Sequence, residues 1–272
     1  MNTSIIKCPT CNAKTMIDNK TLKCENNHSF DLAKQGYINL LINKGSKTKI
    51  HGDSKEMLNA RKLILEKGYY QTISNNLNNI INSFGKNNRI IDIGSGVGYY
   101  LDNLEKSNQK NEYYGIDISK DGIKEASKAN KAISYIVGTN NQLPFLDNSA
   151  DIIYSIFSPI NIDECVRVLK GKGHLITVSP NQNHLGELKK LVYEVIIEKD
   201  YLVNDIVYEG IKKVDSIIIK EEITLNDFDL YQLFMMTPHY FKTPIIVKDK
   251  IKNIEKMTLT IDVVVNVYQY LL

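Results

Sequence analysis

Short apolar runs alternate with amphipathic stretches through the middle of this 272-residue chain. Runs rich in β-branched residues predict buried strands at 89–94, 113–119, 133–138, 150–158 and 173–179. Apolar residues at helical spacing predict helices between them, over 98–107, 119–130 and 161–169. Strands that alternate with helices are typical of a parallel sheet covered on both faces. The pattern therefore predicts an α/β fold.

The segments on either side of this alternation have different patterns. Apolar spacing predicts a helix from about residue 53 that ends at Gly68, and a second helix over about 70–84. Residues 205–225 and 257–272 are strand-like, and Pro238 interrupts a helical stretch between them. No run of about 18 apolar residues is present, so we expect no membrane span. Without a secretory or transit-type leader, we expect a cytoplasmic protein.

Cysteine is rare in this chain, and three of its four cysteines lie near the N-terminus. Cys8 and Cys11 are separated by two residues, and His28 follows Cys24 after a similarly short interval. Thiolates and an imidazole at this spacing are typical of a tetrahedral zinc site without an open position. We expect a structural Zn²⁺ on these four residues, in a module over residues 1–38. A redox pair and unliganded cysteines are the alternatives.

Charge is distributed unevenly, although the whole chain has a formal net charge of only +3. Residues 1–70 hold twelve Lys/Arg against six Asp/Glu, and the remainder is acidic on balance. A basic excess in one part indicates contact with a polyanion such as RNA, and a solvated linker is the alternative. We expect a segment of basic linker and helices over 39–86. Its candidates for phosphate contact are Lys44, Lys47, Lys49, Arg61 and Lys62.

The stretch IIDIGSGVGYY carries the clearest chemistry of the sequence. A predicted strand ends at Asp92, and Gly94, Gly96 and Gly98 follow on alternate positions. Glycine lets the backbone turn sharply and approach a ligand closely. The spacing differs from the G-x-G-x-x-G of dinucleotide folds, and no lysine follows as it would in a P-loop. An acid beside the loop suits a cationic ligand. The alternative to a ligand-binding loop is a tight turn in another α/β fold.

This stretch resembles the D-x-G-x-G-x-G motif of class I S-adenosylmethionine-dependent methyltransferases. Asp117 lies 25 residues after Asp92, where an acid of that family binds both ribose hydroxyls. The stretch GTNNQLPFLDNSADIIYS is similar to the family's region between the third and fourth strands, which implies that Asn140 and Asn141 lie near the adenine. The resemblance implies S-adenosylmethionine as cofactor and a Rossmann-like class I methyltransferase sheet over 87–272.

The fourth predicted strand departs from a motif that many methyltransferases carry. Its end has FSPIN, residues 157–161, in place of the (N/D)PPY motif that holds a flipped amino group. The departure argues against the exocyclic-amine chemistry of adenine-N6 enzymes.

Further stretches resemble one family of methyltransferases. CPTC…CENNHSFDLAKQGYINLL, GDSKEMLNARKLILEKGYYQ, SPNQNHLGELKKLVYE and LFMMTPHYF are similar to stretches of bacterial 23S rRNA (guanine-N1)-methyltransferases. The resemblance covers nearly the whole chain. That family methylates N1 of a guanine in a domain II hairpin of 23S rRNA, so the resemblance implies an enzyme with this rRNA hairpin as its partner and no membrane. A homodimer is one option for its assembly.

The resemblance also implies roles for individual residues. Cys8, Cys11, Cys24 and His28 match the zinc ligands. Tyr70, at the end of EKGYY, and His184 match positions close to the cofactor, with ordinary packing as the alternative for both. The matching cofactor loop runs from Gly94 to Tyr100 and includes Tyr99.

The reaction itself sets two further requirements. Guanine N1 must lose a proton during transfer, and Asp163, Glu164 and His184 are candidate bases of which none is singled out. The target guanine must also be unstacked from its neighbours in the RNA, and the side chains that could stack on it are Tyr99, Phe157 and Tyr240.

Two other functions are alternatives. A small-molecule methyltransferase of the ubiquinone type explains the glycine loop but not the cysteine module. A non-catalytic RNA-binding protein on a methyltransferase fold does not explain an intact glycine loop.

Overall fold

The computed structural model describes residues 1–42, 54–193 and 205–272. A small antiparallel sheet forms near the N-terminus from β1 (Thr15–Asp18), β2 (Thr21–Cys24) and β3 (Ser29–Asp31). The basic stretch with Lys44, Lys47 and Lys49 lies outside the described residues.

Within the described residues, eight strands form one large mixed sheet in the order β10-β11-β9-β8-β5-β6-β7-β4. Its strands are β4 (Ile38–Asn39), β5 (Arg89–Ile93), β6 (Glu112–Asp117), β7 (Ser134–Val137), β8 (Ala150–Ile156), β9 (Leu169–Pro180), β10 (Ile211–Asn226) and β11 (Lys256–Tyr270). The pairs from β4 through β9 are parallel, and β10 and β11 pair antiparallel at the other end. The predicted α/β fold is confirmed.

Helices cover this sheet, and their bounds follow the predicted alternation closely. They are α1 (Lys55–Glu66), α2 (Gln71–Ser83), α3 (Tyr99–Ser107), α4 (Lys120–Ala129), α5 (Ile162–Val168), α6 (Gly186–Val192), α7 (Asp227–Met235), α8 (His239–Lys242) and α9 (Ile245–Lys252). The inner strands are apolar at successive positions, as in β7 with SYIV, because both faces of the sheet are buried. In the described part of the chain, no helix is long and apolar enough to span a bilayer.

The N-terminal module is joined to the large sheet by backbone pairing. Ile38 in β4 pairs parallel with Ile136 in β7, and an isolated bridge joins Ile6 to Phe145. The side chains of Ile6, Ile38 and Phe145 are buried in one apolar cluster. The sequence predicts a linker from residue 39, and the structure instead uses Asn39 as the second residue of an edge strand. The domain bounds at 38 and 86 stay predictions.

The last third of the chain forms a long hairpin beside three helices. β10 and β11 pair from Asn226 opposite Lys256 to Ile211 opposite Tyr270. The helix that was expected to break at Pro238 does so, since α7 ends at Met235 and α8 begins after that proline. The short helices α6 and α9 were not predicted from the sequence.

Candidate functional site

The carboxyl ends of neighbouring parallel strands meet at one edge of the large sheet. Asp92 lies in β5, Asp117 is the last residue of β6, and Phe157 directly follows β8. Ligands of open α/β sheets bind outside the carboxyl ends of the strands. The loops at this edge carry most of the residues predicted to bind the cofactor.

Three glycines shape the loop after β5. Gly94, Gly96 and Gly98 have φ values of 80°, 52° and 81°, in the left-handed region that favours glycine. A Cβ on Gly94 would collide with the side chain of Ser158, and a Cβ on Gly98 would collide with the Tyr135 hydroxyl. These two contacts show that the loop packs directly against the strands beneath it, with no room for a side chain.

Gly96 differs from the other two glycines of this loop. Among the described residues, a Cβ on Gly96 would come within 4 Å of one atom, Nη1 of Arg61 at 4.0 Å. A Cβ on Gly122 of α4 would lie 2.9 Å from the Gly96 carbonyl oxygen, so this helix and the loop backbone are in close contact. Gly96 therefore marks the side of the loop on which its backbone can approach a ligand.

Asp117 is hydrogen-bonded to the loop as well as positioned beside it. Its Oδ2 atom accepts a hydrogen bond from the Gly96 backbone N–H at 2.8 Å, and Oδ1 accepts one from the Ser119 N–H at 2.7 Å. An ionised carboxylate has about four acceptor sites, so it can hold backbone donors and accept from ligand hydroxyls as well. The predicted ribose acid thus also holds the glycine loop in place.

Asp92 is almost completely enclosed, with 3% of its surface exposed. Burial raises the pKa of its carboxyl to about 8, the neighbouring Tyr154 side chain lowers the pKa, and the charge of Asp117 raises it. Asp92 is therefore largely protonated at neutral pH, and a cationic ligand near it would favour the ionised form.

Several buried hydroxyl groups in, next to and beneath the loop have no hydrogen-bond partners in the described part of the chain. They are Ser95 Oγ and Tyr100 Oη in or next to the loop, and Tyr135 Oη beneath it. Buried polar atoms usually have partners. Together with the glycines that leave no room for side chains, these groups fit a polar ligand such as S-adenosylmethionine. Asp117 would hold its ribose, and the loop backbone would lie against it.

Tyr70 and His184 are far apart in the sequence, and the structure brings them together around Phe157. The Phe157 ring stacks on His184 with centroids 5.5 Å apart and planes at 27°. Tyr70 meets both rings edge-on, at 6.2 Å from Phe157 and 6.4 Å from His184. Tyr70 and His184 are buried, whereas Phe157 is 41% exposed. The three residues form an aromatic cluster at the end of β8.

The protonation state of His184 follows from its contacts. Its Nδ1 atom accepts a hydrogen bond from the Asp262 backbone N–H at 3.2 Å, so the proton of the neutral ring is on Nε2. Burial, together with the charge of Lys189, lowers the pKa of His184 to about 4. His184 is thus neutral at physiological pH with neither nitrogen free to accept a proton, which argues against its role as the base.

The other two candidate bases are engaged in different ways. Glu164 accepts from the Leu143 backbone N–H at 2.7 Å and forms an ion pair with Arg167 at 2.7 Å. It is therefore part of a structural network. Asp163 accepts a hydrogen bond of 2.6 Å from the Tyr208 hydroxyl, in an exposed position.

The remaining predicted cofactor residues lie around the same edge. Asn140 donates from Nδ2 to the Pro159 carbonyl at 2.8 Å, which joins the loops after β7 and β8. Asn141 is exposed on the first of these loops. The Tyr99 hydroxyl donates to Gln71 Oε1 at 2.8 Å, toward α2 and away from the loop. The cofactor roles of these residues stay predictions.

The four predicted metal ligands converge in the N-terminal module. The ligand atoms of Cys8, Cys11, Cys24 and His28 all lie within 4.8 Å of one another. Cys11 Sγ is 3.7 Å from Cys24 Sγ, and Cys24 Sγ is 3.4 Å from His28 Nδ1. Zn–S bonds of about 2.3 Å at tetrahedral angles require sulfurs about 3.8 Å apart. The spacing therefore fits one tetrahedral Zn²⁺, and it is too long for a disulfide.

Two similar turns present these ligands. In the first, the Cys8 carbonyl accepts from the Asn12 N–H at 2.8 Å, and in the second the Cys24 carbonyl accepts from the Asn27 N–H at 3.0 Å. Both asparagines have positive φ, 62° and 61°, which asparagine tolerates better than most residues. The local sequence thus builds two matching knuckles around one ion.

The acidity of the thiols suits metal binding at one knuckle. The Asn26 side chain and the Ala13 backbone lower the pKa of Cys11 to about 6, while burial raises the pKa of Cys8. Cysteines bind zinc as thiolates, and the lowered pKa favours the thiolate form of Cys11.

Two residues at the site were not identified by sequence patterns. Arg61 is predicted to contact RNA phosphate, and that contact stays a prediction, but the structure also places its guanidinium close to Gly96. Ser158 packs under Gly94, and no motif marks it. The only signal for Arg61 was its place on a helix shortly before the glycine loop, which does not indicate where the side chain reaches.

Comparison with known families and proteins gives consistent matches. The zinc-ribbon family described as RlmA, N-terminal, matches residues 6–47, and the methyltransferase domain family matches residues 91–177. A solved structure from Bacillus halodurans C-125, provisionally named a methyltransferase, has a TM-score of 0.47 and 14% identity. It covers 69% of this chain and 94% of its own.

Two curated relatives match at higher identity. The 23S rRNA (guanine(748)-N(1))-methyltransferase of Streptomyces fradiae is 34% identical over 187 residues, which are 67% of this chain and 66% of the relative. A protein of Bacillus subtilis (strain 168), provisionally named 23S rRNA (guanine-N(1)-)-methyltransferase YxjB, is 31% identical over 275 residues. That match covers 96% of this chain and 95% of the relative.

Proposed function

This chain belongs to the family of 23S rRNA (guanine-N1)-methyltransferases, and from that premise we propose its substrate and the way it is held. The enzyme transfers a methyl group from S-adenosylmethionine to N1 of a guanine in a domain II hairpin of 23S rRNA. Its zinc ribbon holds Zn²⁺ on Cys8, Cys11, Cys24 and His28. Because ribosomal RNA is the substrate, the enzyme acts in the cytoplasm.

The observation that carries this proposal is the conformation of Phe157. Its φ is 54°, a left-handed value that is unfavourable for a bulky residue, and the residue is 41% exposed. Such strain costs on the order of 1–3 kcal/mol and is found where function requires it. The neighbouring Ser158 contacts the Gly94 position of the cofactor loop. Phe157 therefore presents an aromatic face beside the loop, where an unstacked guanine can lie on it.

The other two stacking candidates are engaged elsewhere. Tyr99 donates its hydroxyl to Gln71, and Tyr240 packs against Phe234 with the Lys248 Nζ atom 3.9 Å from its ring centroid. Phe157 is thus the best supported of the three as the residue that receives the base.

The residues of the site act by binding and orienting. S-adenosylmethionine supplies a methyl group that is already activated on a sulfonium, so position accounts for much of the rate. His184 supports the Phe157 ring and holds its own proton on Nε2, directed away from its bond with Asp262. The N1 proton of guanine leaves to water or to a carboxylate, for which Asp163 is the exposed candidate.

The N-terminal module is proposed to recognise the RNA. Residues 1–70 carry the basic excess of the chain, and the module is fixed to the β4 end of the sheet by paired backbone. Phosphates would bind on this side while the guanine reaches the edge with Phe157.

A homodimer is also proposed, because β10 forms an end of the sheet across the described residues and offers an unpaired edge. Sedimentation equilibrium tests the dimer.

Primer extension across domain II of 23S rRNA tests the substrate. N1-methylguanine blocks Watson–Crick pairing, so reverse transcription should stop at one guanine in the wild type and read through it in a strain lacking the gene. Complementation with the wild-type gene should restore the stop, and complementation with Asp117→Ala should restore it less fully. A stop that persists without the gene would contradict the proposal.

A further inference from the structure

Arg61 reaches the glycine loop from outside the sheet. It lies in α1, and its Nη2 atom donates to the Met236 carbonyl oxygen at 3.3 Å, just after α7. Its Nη1 atom lies 4.0 Å from the position that a Cβ on Gly96 would occupy. The guanidinium is therefore carried by α1, held by the residue that caps α7, and close to the side of the loop where the backbone can approach a ligand.

We propose that Arg61 binds the carboxylate of the methionine part of S-adenosylmethionine. The proposal concerns the cofactor and rests on the methyltransferase activity, but not on which RNA is the substrate. It gives Arg61 a binding role in place of the phosphate contact expected from its charge.

The charges around the loop explain why a cation is needed there. Asp92 and Asp117 are the acids at the ends of β5 and β6. Asp92 is largely protonated in the folded protein, whereas the Asp117 carboxylate suits the ribose hydroxyls and would repel the carboxylate of the cofactor. A guanidinium offers a planar pair of donors that matches a carboxylate. Arg61 supplies this complementary charge next to Gly96.

The influence of Arg61 on two buried tyrosines supports this position. Burial raises the pKa of Tyr70 and of Tyr100, and the positive charge of Arg61 opposes this rise at both hydroxyls. Tyr70 belongs to the aromatic cluster with Phe157, and Tyr100 follows the glycine loop. The guanidinium charge therefore acts inside the site, between the loop and the aromatic cluster.

A backbone phosphate of the RNA is the other anion that an arginine can bind, and the geometry favours the cofactor. The contact with the Met236 carbonyl and the proximity to Gly96 direct the guanidinium inward. A side chain that positions a duplex from the surface would extend into solvent, as Lys62 does with 46% of its side chain exposed.

Decarboxylated S-adenosylmethionine provides a direct test, because it lacks only the group that Arg61 is proposed to bind. Titration calorimetry measures both ligands on wild type, Arg61→Ala and Arg61→Gln, and Lys55→Ala removes one charge from the same helix as the matched control. Arg61→Ala should weaken S-adenosylmethionine binding roughly 10- to 100-fold, the range for a charge-assisted hydrogen bond. Its affinity for the decarboxylated ligand should stay within about twofold of wild type, and Lys55→Ala should change neither affinity.

The two outcomes that overturn the proposal are distinct. An equal loss of affinity for both ligands would make Arg61 a support for the loop, and unchanged affinity for both would leave it outside the cofactor site. Arg61→Gln retains a donor for the Met236 carbonyl and serves if the alanine variant does not fold. Binding is measured without RNA, so a failure of rRNA methylation at the proposed guanine would leave this result standing.

Discussion

The Oδ2 atom of Asp117 accepts a hydrogen bond from the Gly96 backbone N–H at 2.8 Å, so the predicted ribose acid and the cofactor loop form one unit. The same carboxylate also accepts from Ser119, at the start of α4. Removing this carboxylate would weaken cofactor binding. It would also destabilise the ligand-free protein, because two backbone donors would lose their acceptor.

Asp117→Ala should therefore weaken S-adenosylmethionine binding by about 1.5–3 kcal/mol, and it should lower the unfolding free energy without ligand by about 1–3 kcal/mol. Asp117→Asn keeps one acceptor oxygen and should lose less stability than the alanine variant. Calorimetric titration and urea unfolding measure the two effects. Unchanged cofactor affinity in Asp117→Ala would mean that the ribose lies elsewhere.

Gly98→Ala tests how tightly the loop packs on the sheet. The new Cβ would collide with the Tyr135 hydroxyl and lie 2.8 Å from the Ala126 Cβ, in a residue whose φ is 81°. Strain and overpacking together should cost about 2–4 kcal/mol of unfolding free energy. Gly85→Ala is the matched control, because its φ is 95° and nothing described lies within 4 Å of its Cβ.

A second substitution separates the collision from the backbone strain. Tyr135→Phe removes a buried hydroxyl that has no partner in the described part of the chain, so alone it should be nearly neutral. In this background Gly98→Ala should cost less than in the wild type. An equal cost in both backgrounds would assign the effect to backbone strain and to the contact with Ala126, and not to the Tyr135 hydroxyl.

The stability of the protein should depend on pH through Asp92. Its pKa rises from about 3.9 in an unfolded chain to about 8 in the folded protein. Between these values the folded state binds more protons, so the contribution of Asp92 to stability is present below pH 4 and is lost as the pH rises through 8. Asp92→Asn cannot ionise, so its unfolding free energy relative to wild type should increase from pH 5 to pH 8. Urea unfolding at several pH values measures this difference, and a constant difference would show that Asp92 is ionised when folded.

Zinc content should depend on the four N-terminal ligands. Cys24→Ser should lose the metal and rRNA methylation, since one ligand is removed from a closed site, while S-adenosylmethionine affinity stays nearly unchanged. Cys165→Ala, which changes a buried cysteine in α5, should keep one zinc per chain. Elemental analysis of both variants and a methylation assay make the comparison. Normal methylation by a zinc-free Cys24→Ser would remove the module from RNA recognition.

Sequence patterns predicted those parts of the structure that are determined by residues close together in the chain. The inner strands were visible because burial on both faces puts apolar residues at adjacent positions, such as Ile90 and Ile91 in β5. The zinc ligands were visible because two tight turns fix their spacing. β4 was not, since a strand of two residues has no periodicity of its own and depends on pairing with Ile136, almost a hundred residues away.

The site shows the same division between local and distant causes. The glycine loop follows from its own motif, whereas Arg61 reaches Gly96 only because α1 packs beside α7 and Met236 holds the guanidinium. The positive φ of Phe157 is likewise set by the ends of β8 and by its contacts with Tyr70 and His184. No pattern in FSPIN indicates it.

Phe157 should contribute to methylation through its ring rather than through stability. Phe157→Asn removes the ring but suits the left-handed backbone, since asparagine tolerates positive φ better than phenylalanine. The relief of strain should offset part of the lost packing on His184, so the variant should fold with nearly wild-type stability. Its kcat/KM on a 23S rRNA hairpin should fall roughly 10- to 100-fold, because stacking on an aromatic side chain contributes about 1–3 kcal/mol per base.

Two comparisons assign this loss to stacking. Phe157→Tyr keeps an aromatic face and should retain most of the activity, whereas Phe157→Leu keeps the backbone strain but loses the stacking on His184, so it should lose both stability and activity. S-adenosylmethionine affinity, measured by titration, should stay within about threefold of wild type in the asparagine and tyrosine variants, a change below 1 kcal/mol. If Phe157→Asn methylated the hairpin at the wild-type rate, the guanine would have to be held by another part of the site. The strain at Phe157 would then serve only its contacts with Tyr70 and His184.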